Sequence, residues 1–65
     1  TMLRPGDKVK MNGHRKVRKE EQNKIWTVSN FPWELGGVFL VFLMGRRGPY
    51  PVDGLDLVER GKNNE

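Results

Sequence analysis

Sixty-five residues make one small domain, near the lower end of what folds unaided. With no cysteine and a single histidine, His14, the chain has neither disulfides nor the ligands of a thiolate or histidine metal cluster, so no metal and no cofactor is expected. Twelve Lys or Arg against eight Asp or Glu leave a net charge of +4, which favours an anionic partner. No apolar stretch approaches the roughly 18 residues that span a bilayer, and no leader-like segment is visible. A soluble, cytoplasmic, non-membrane protein is expected, with Met2 as its start and Thr1 as an added residue.

In chain order, Pro5-Gly6-Asp7 reads as a turn feeding a first strand over Lys8 to Met11, where Val9 and Met11 alternate with lysines. Asn12-Gly13 opens a polar connection to about Asn23. Its only apolar residue is Val17, so it reads as a long basic loop rather than an amphipathic helix. Lys24 to Ser29 is rich in β-formers and forms the second strand. Asn30, Pro32 and Gly36-Gly37 bracket an irregular aromatic segment holding Phe31 and Trp33. Gly37 to Met44 is the third and longest strand, Gly45 to Gly48 a tight turn, Pro49 to Val52 a short edge strand, and Leu57 to Glu59 the last strand. These elements predict an all-β, five-stranded barrel over residues 1–61, with 62–65 as a disordered tail.

Within this layout the third strand is unusual. Residues 38 to 44 read Val-Phe-Leu-Val-Phe-Leu-Met, apolar without a break. Side chains of a strand alternate between two faces, so a one-sided core needs only every second one. Val38, Leu40, Phe42 and Met44 share one face; Phe39, Val41 and Leu43 share the other. One set fills the core. The other must be covered by Phe31-Pro32-Trp33 and Val17, or by a protein partner or second copy of the chain, with Phe39, Val41 and Phe42 as the interface candidates.

The positive charge is concentrated too. Residues 1–24 hold Arg4, Lys8, Lys10, Arg15, Lys16, Arg18, Lys19 and Lys24 against Asp7, Glu20 and Glu21, a net of +5. Arg15, Lys16, Arg18 and Lys19 on the long loop, with Arg46 and Arg47 on the Gly45–Gly48 turn, are the candidates for contacting nucleic-acid phosphates. Exposed rings beside arginine would add a stacking platform, and Trp33 is the candidate for that role. A solvated basic loop that serves only solubility is the plain alternative.

Several segments resemble known families. Gly45-Arg46-Arg47-Gly48-Pro49-Tyr50-Pro51-Val52-Asp53-Gly54-Leu55-Asp56-Leu57-Val58 resembles the closing segment of Src-homology-3 (SH3) domains: a Gly-x-x-Gly turn, an aromatic residue, proline, one helical turn and a last strand. Pro5-Gly6-Asp7-Lys8-Val9-Lys10 is similar to the opening of KOW modules, ribosome- and transcription-associated barrels of the same architecture. Both resemblances imply an SH3-like barrel. Polyproline binding is not implied, because Gly54 stands where the ligand-gripping tyrosine would be and the opening tyrosine motif is missing. Gly6-Asp7-Lys8-Val9 and Tyr50-Pro51-Val52 are similar to the plasmid-borne type II dihydrofolate reductases, oligomeric barrels around a pore. Of their Val-Gln-Ile-Tyr motif, however, only Tyr50 is present. Trp26-Thr27-Val28, Pro32-Trp33-Glu34-Leu35 and Tyr50 to Val58 also resemble a group of small bacterial proteins borne by phages or transposons, with no assigned activity.

Catalytic templates find little purchase. Ser29 is the only serine, and no nucleophile elbow surrounds it. Asp53 and Asp56 read as turn and strand-surface residues rather than an acid/base pair. Gly45 to Gly48 is too short for a phosphate-cradling loop. A non-enzymatic binding module is expected. Nucleic acid is the first partner class and protein interaction or homodimerisation the second.

Overall fold

The computed structural model describes residues 2–61. Residues 62–65, expected to form a tail, lie outside the described residues. The chain is mostly strand, as predicted, but with six strands in place of five: β1 (Lys8–Met11), β2 (Ile25–Thr27), β3 (Trp33–Leu35), β4 (Val38–Phe42), β5 (Pro49–Pro51) and β6 (Leu55–Glu59). A four-residue helix, α1 (Lys19–Gln22), lies in the long first connection, and a single 3-10 turn (Val52–Gly54) precedes β6.

The strands form two antiparallel three-stranded sheets, ordered β2-β1-β6 and β3-β4-β5. An antiparallel bridge between Val28 and Leu43 joins them, flanked by hydrogen bonds from Ser29 N to Phe42 O (2.8 Å) and from Met44 N to Thr27 O (2.9 Å). The chain from Ile25 to Leu35 thus serves both sheets, and its break at Asn30–Pro32 has a local cause. Pro32 cannot donate to a ladder. Asn30 turns its side-chain Oδ1 to Phe42 N (2.8 Å), replacing a backbone acceptor. The stretch therefore leaves the ladder for three residues and returns as β3, where the sequence predicts an irregular segment. Gly36 and Gly37 then close a two-residue hairpin with φ of 60° and 85°. Both central residues at positive φ define a turn whose twist matches that of the strands it joins.

The core is Leu3, Val9, Met11, Trp26, Val28, Val41, Leu43, Tyr50 and Leu55, drawn from both sheets, with Val17 and Val52 packed at its margin. The inward residues of the first sheet come from strands that alternate as predicted. Its outward residues are mainly polar: Lys8 faces Thr27, Lys10 faces Ile25 and Asp56, and Lys8 Nζ donates to Thr27 Oγ1 at 3.0 Å. In β6 the partner of β1 jumps from Leu57 to Glu59, leaving Val58 as a bulged, half-exposed residue.

Asp7 joins the segment at Arg4 to that at Arg60–Gly61. Its side chain is 2% exposed and accepts from Arg4 N (2.9 Å), Gly61 N (2.8 Å) and Arg60 Nη1 (2.7 Å). Burial alone would raise the Asp7 pKa. The two backbone donors and the Arg60 charge outweigh that and hold its carboxyl below the ordinary range. Gly61 comes so close that an added Cβ would lie 2.6 Å from the Gly6 carbonyl carbon, so only glycine fits there.

Candidate functional surfaces

Two surfaces stand out, one charged and one apolar. The charged one forms where α1 meets the Gly45–Gly48 turn. Glu21 fixes both sides of this junction. Its backbone oxygen accepts the Trp26 indole N–H at 3.2 Å, and its Oε2 accepts from Arg46 Nε at 3.2 Å. That ion pair is half-buried, with side-chain exposures of 22% and 23%. The Arg46 guanidinium also sits 5.1 Å from the centre of the Tyr50 ring, and Lys24 Nζ lies 4.4 Å above that of Trp26. Between the two segments runs an open groove of about 600 Å³, lined by Arg18, Lys24, Arg46 and Arg47 with Glu20 and Glu21.

The sequence-predicted cations divide on this framework. Arg46 and Arg47 line the groove with Arg18, so the loop and the turn do meet. Arg18 is well exposed and only 3.9 Å from Glu20. Lys16 and Lys19 are exposed on the same connection, Lys19 within α1. Arg15 is occupied elsewhere. Its Nε and Nη2 bond both oxygens of Asp53, at 3.2 and 3.0 Å. That two-pronged hydrogen bond lowers the Asp53 pKa and raises that of Arg15. Trp33 is not at the groove at all. It lies in β3, half-buried, with its ring 5.1 Å from that of Phe42. Trp26 does line the groove but is 4% exposed, so no open aromatic platform accompanies these cations.

Lys24 and Glu21 were not singled out from the sequence. The sequence places Lys24 in the second strand, which instead begins at Ile25 and leaves the lysine on the loop side. Glu21 gave no separate signal, because a surface carboxylate and one that anchors an arginine across 25 positions read alike.

The apolar surface is the outward face of the second sheet. Register pairs Trp33 with Leu40 and Leu35 with Val38, while Leu40 faces Pro51 and Phe42 faces Pro49. Directly opposed residues share a face. Trp33, Leu35, Val38, Leu40, Phe42, Pro49 and Pro51 therefore line one side of the sheet, and none carries a charge. Leu35 is 66% exposed, Phe42 41% and Val38 36%. Of the three interface candidates, Phe42 belongs to this face. Val41 is 0% exposed and fills the core opposite Tyr50, so it is not an interface residue in this chain. Phe39 points with Val41 but lies beyond the edge of the core and is 49% exposed, over shallow hollows shared with Val52, Met2 and Pro32. Part of the predicted cover is present, since Trp33 rests on Phe42; Phe31 stays 64% exposed and Val17 packs at the core margin instead.

Burial pushes the Tyr50 phenol above its ordinary pKa, against the pull of Arg46 and Arg15. Among the described residues, no group of three or more His, Cys, Asp or Glu could hold a metal ion, and no helix is long and apolar enough to cross a membrane. Compared with known protein families, with curated proteins and with solved structures, the chain matches none.

Proposed function

We propose that this chain is a small SH3-like barrel that binds nucleic acid through the phosphate backbone, at the groove between α1 and the Gly45–Gly48 turn. The architecture is supported by the strand orders β2-β1-β6 and β3-β4-β5, the Val28–Leu43 bridge and the 3-10 turn ahead of the last strand. One observation carries the ligand class. Residues 12–24 and 45–48 hold seven of the twelve Lys and Arg and only two of the eight carboxylates. These two segments therefore carry more positive charge than the whole chain, and the fold joins them through the Glu21–Arg46 pair.

The chemistry of the groove favours a run of phosphates over a single small anion. Arg46 is held by Glu21 and acts as a fixed wall, whereas Arg18, Lys24 and Arg47 line the opening with Lys16 and Lys19 on the same connection. Such spread, exposed cations neutralise successive backbone charges and read no base edges, so binding is sequence-tolerant. With about four phosphates contacted, affinity falls roughly 100-fold between 50 and 200 mM salt. Fluorescence anisotropy with a labelled mixed-sequence duplex tests this directly. The Lys24→Glu,Arg47→Glu double variant loses binding at least tenfold, while Lys10→Glu on the first sheet changes it far less. No detectable binding at 50 mM salt, or binding indifferent to the double variant, rules the reading out.

A further inference from the structure

The apolar outer face of β3-β4-β5 has no role in phosphate binding. We infer that it docks against the same face of a second copy of this chain, giving a two-fold symmetric dimer with sheet stacked on sheet.

Four observations choose this occupant. First, the face is made of Trp33, Leu35, Val38, Leu40, Phe42, Pro49 and Pro51, so a mate that satisfied it would be flat, apolar and free of charge. The face itself has those properties, and a two-fold contact brings a patch against its own copy. Sheets stacked in this way settle about 10 Å apart with strands crossing at roughly 30°.

Second, the β5 edge of the sheet is closed to strand addition. Pro49 and Pro51 flank the three-residue β5, and neither has an N–H to offer another strand. Strand addition at that edge is thereby blocked, and the apolar area available for a contact is the face.

Third, the area suits a homodimer of modest strength. The exposed fractions of Leu35, Phe42 and Val38, with the partial exposure of the other four, leave roughly 400–500 Å² per copy, taking about 150–200 Å² for a large apolar side chain. A pair buries about 800–1,000 Å², below the roughly 1,200 Å² of stable specific interfaces and in the range of weak, transient association, which is concentration-dependent.

Fourth, the charge does not oppose the contact locally. The positive excess lies on residues 12–24 and 45–48, not on any of the seven face residues. Repulsion between two chains of +4, including the exposed Arg47 two residues before Pro49, acts against pairing, and salt screens it. Dimerisation thus holds or tightens as salt rises, opposite to phosphate binding, so the two proposals fail independently.

Sedimentation velocity on the protein alone, from a few micromolar to about a millimolar, tests the inference. The weight-average mass is expected to climb from 7.5 kDa toward twice that value over this range. Leu35→Glu lies at an exposed hairpin end where a charge is compatible with folding, and it should shift the midpoint at least tenfold upward while circular dichroism stays unchanged. Phe39→Glu, on the other side of the strand, should leave the midpoint in place. A strict monomer at a millimolar overturns the inference. So does a dimer that ignores Leu35→Glu or is lost with Phe39→Glu.

Discussion

The two sheets of this chain share a core but treat their outer faces in opposite ways. In β2-β1-β6 the core-facing Val9, Met11, Trp26 and Leu55 alternate with Lys8, Lys10, Thr27 and Asp56, with Ile25, Leu57 and Val58 as exposed apolar exceptions. That is the pattern of an antiparallel sheet with one wet face. In β3-β4-β5 the inward Val41 and Tyr50 alternate with residues that are themselves apolar. Both sheets are equally able to close the core, so core packing does not account for the second pattern. We infer that the extra apolar residues serve a contact surface, which the contrast with the first sheet marks.

Substitutions can break this contrast in a graded way. The largest effect belongs to neither sheet face but to Asp7, which ties Arg4 and Arg60–Gly61 to the start of the first sheet. Asp7→Ala strands three donors, including a charged one, and is expected to cost about 3–5 kcal/mol, enough to unfold much of a domain this size. The same group sets an acid limit. Because the folded Asp7 carboxyl is held below its unfolded value of about 3.9, its stabilisation is present above that pH and is lost as pH falls through the lowered value. Urea midpoints measured between pH 6 and pH 2 should drop over that acid window in the native chain and lose that component in Asp7→Asn.

Next comes the inner side of the second sheet. Leu43→Ala empties a site that is 2% exposed and should cost about 2–5 kcal/mol by thermal or urea unfolding. Leu35→Ser, on the outer side and 66% exposed, should change the stability of the dilute monomer by no more than about 0.5 kcal/mol. If the two costs are similar, the outer face is packed within the monomer and the contrast between sheets disappears. The smallest effect is expected on the wet face of the first sheet, where Lys8→Met removes one hydrogen bond to Thr27 at a cost of about 1 kcal/mol or less.

Much of this fold was legible in the sequence because period and turn residues mark it. The Lys8–Met11 alternation, the β-formers after Lys24, the seven-residue apolar run and the Gly-bracketed turns each place a strand within a residue or two. The sixth strand was hidden. Trp33–Leu35 is three residues long, follows a proline and owes its existence to pairing with β4, a long-range partner that local pattern does not reveal. The short helix was hidden for a similar reason, since α1 is held by Trp26 and Arg46 rather than by an apolar stripe of its own.

The candidate surfaces were legible in composition but not in assignment. Clustered cations pointed to the loop and the Gly45–Gly48 turn, yet Arg15 is committed to Asp53, a partner 38 positions away. The apolar run announced a surplus face, and alternation separated its two sides. It could not say which side was inward. Leu43 decides that by bridging to Val28, which places Val41 and Leu43 in the core and leaves Leu40 and Phe42 outside.

The most direct test of the claim that one sheet is wet and the other is an interface is an amide NMR dilution series, from about a millimolar to tens of micromolar. The account predicts that concentration-dependent shifts concentrate on Trp33–Leu35, Val38–Phe42 and Tyr50, while Lys8–Met11 and Leu55–Glu59 stay fixed. Shifts confined to the first sheet, or spectra unchanged over the whole range, would contradict it.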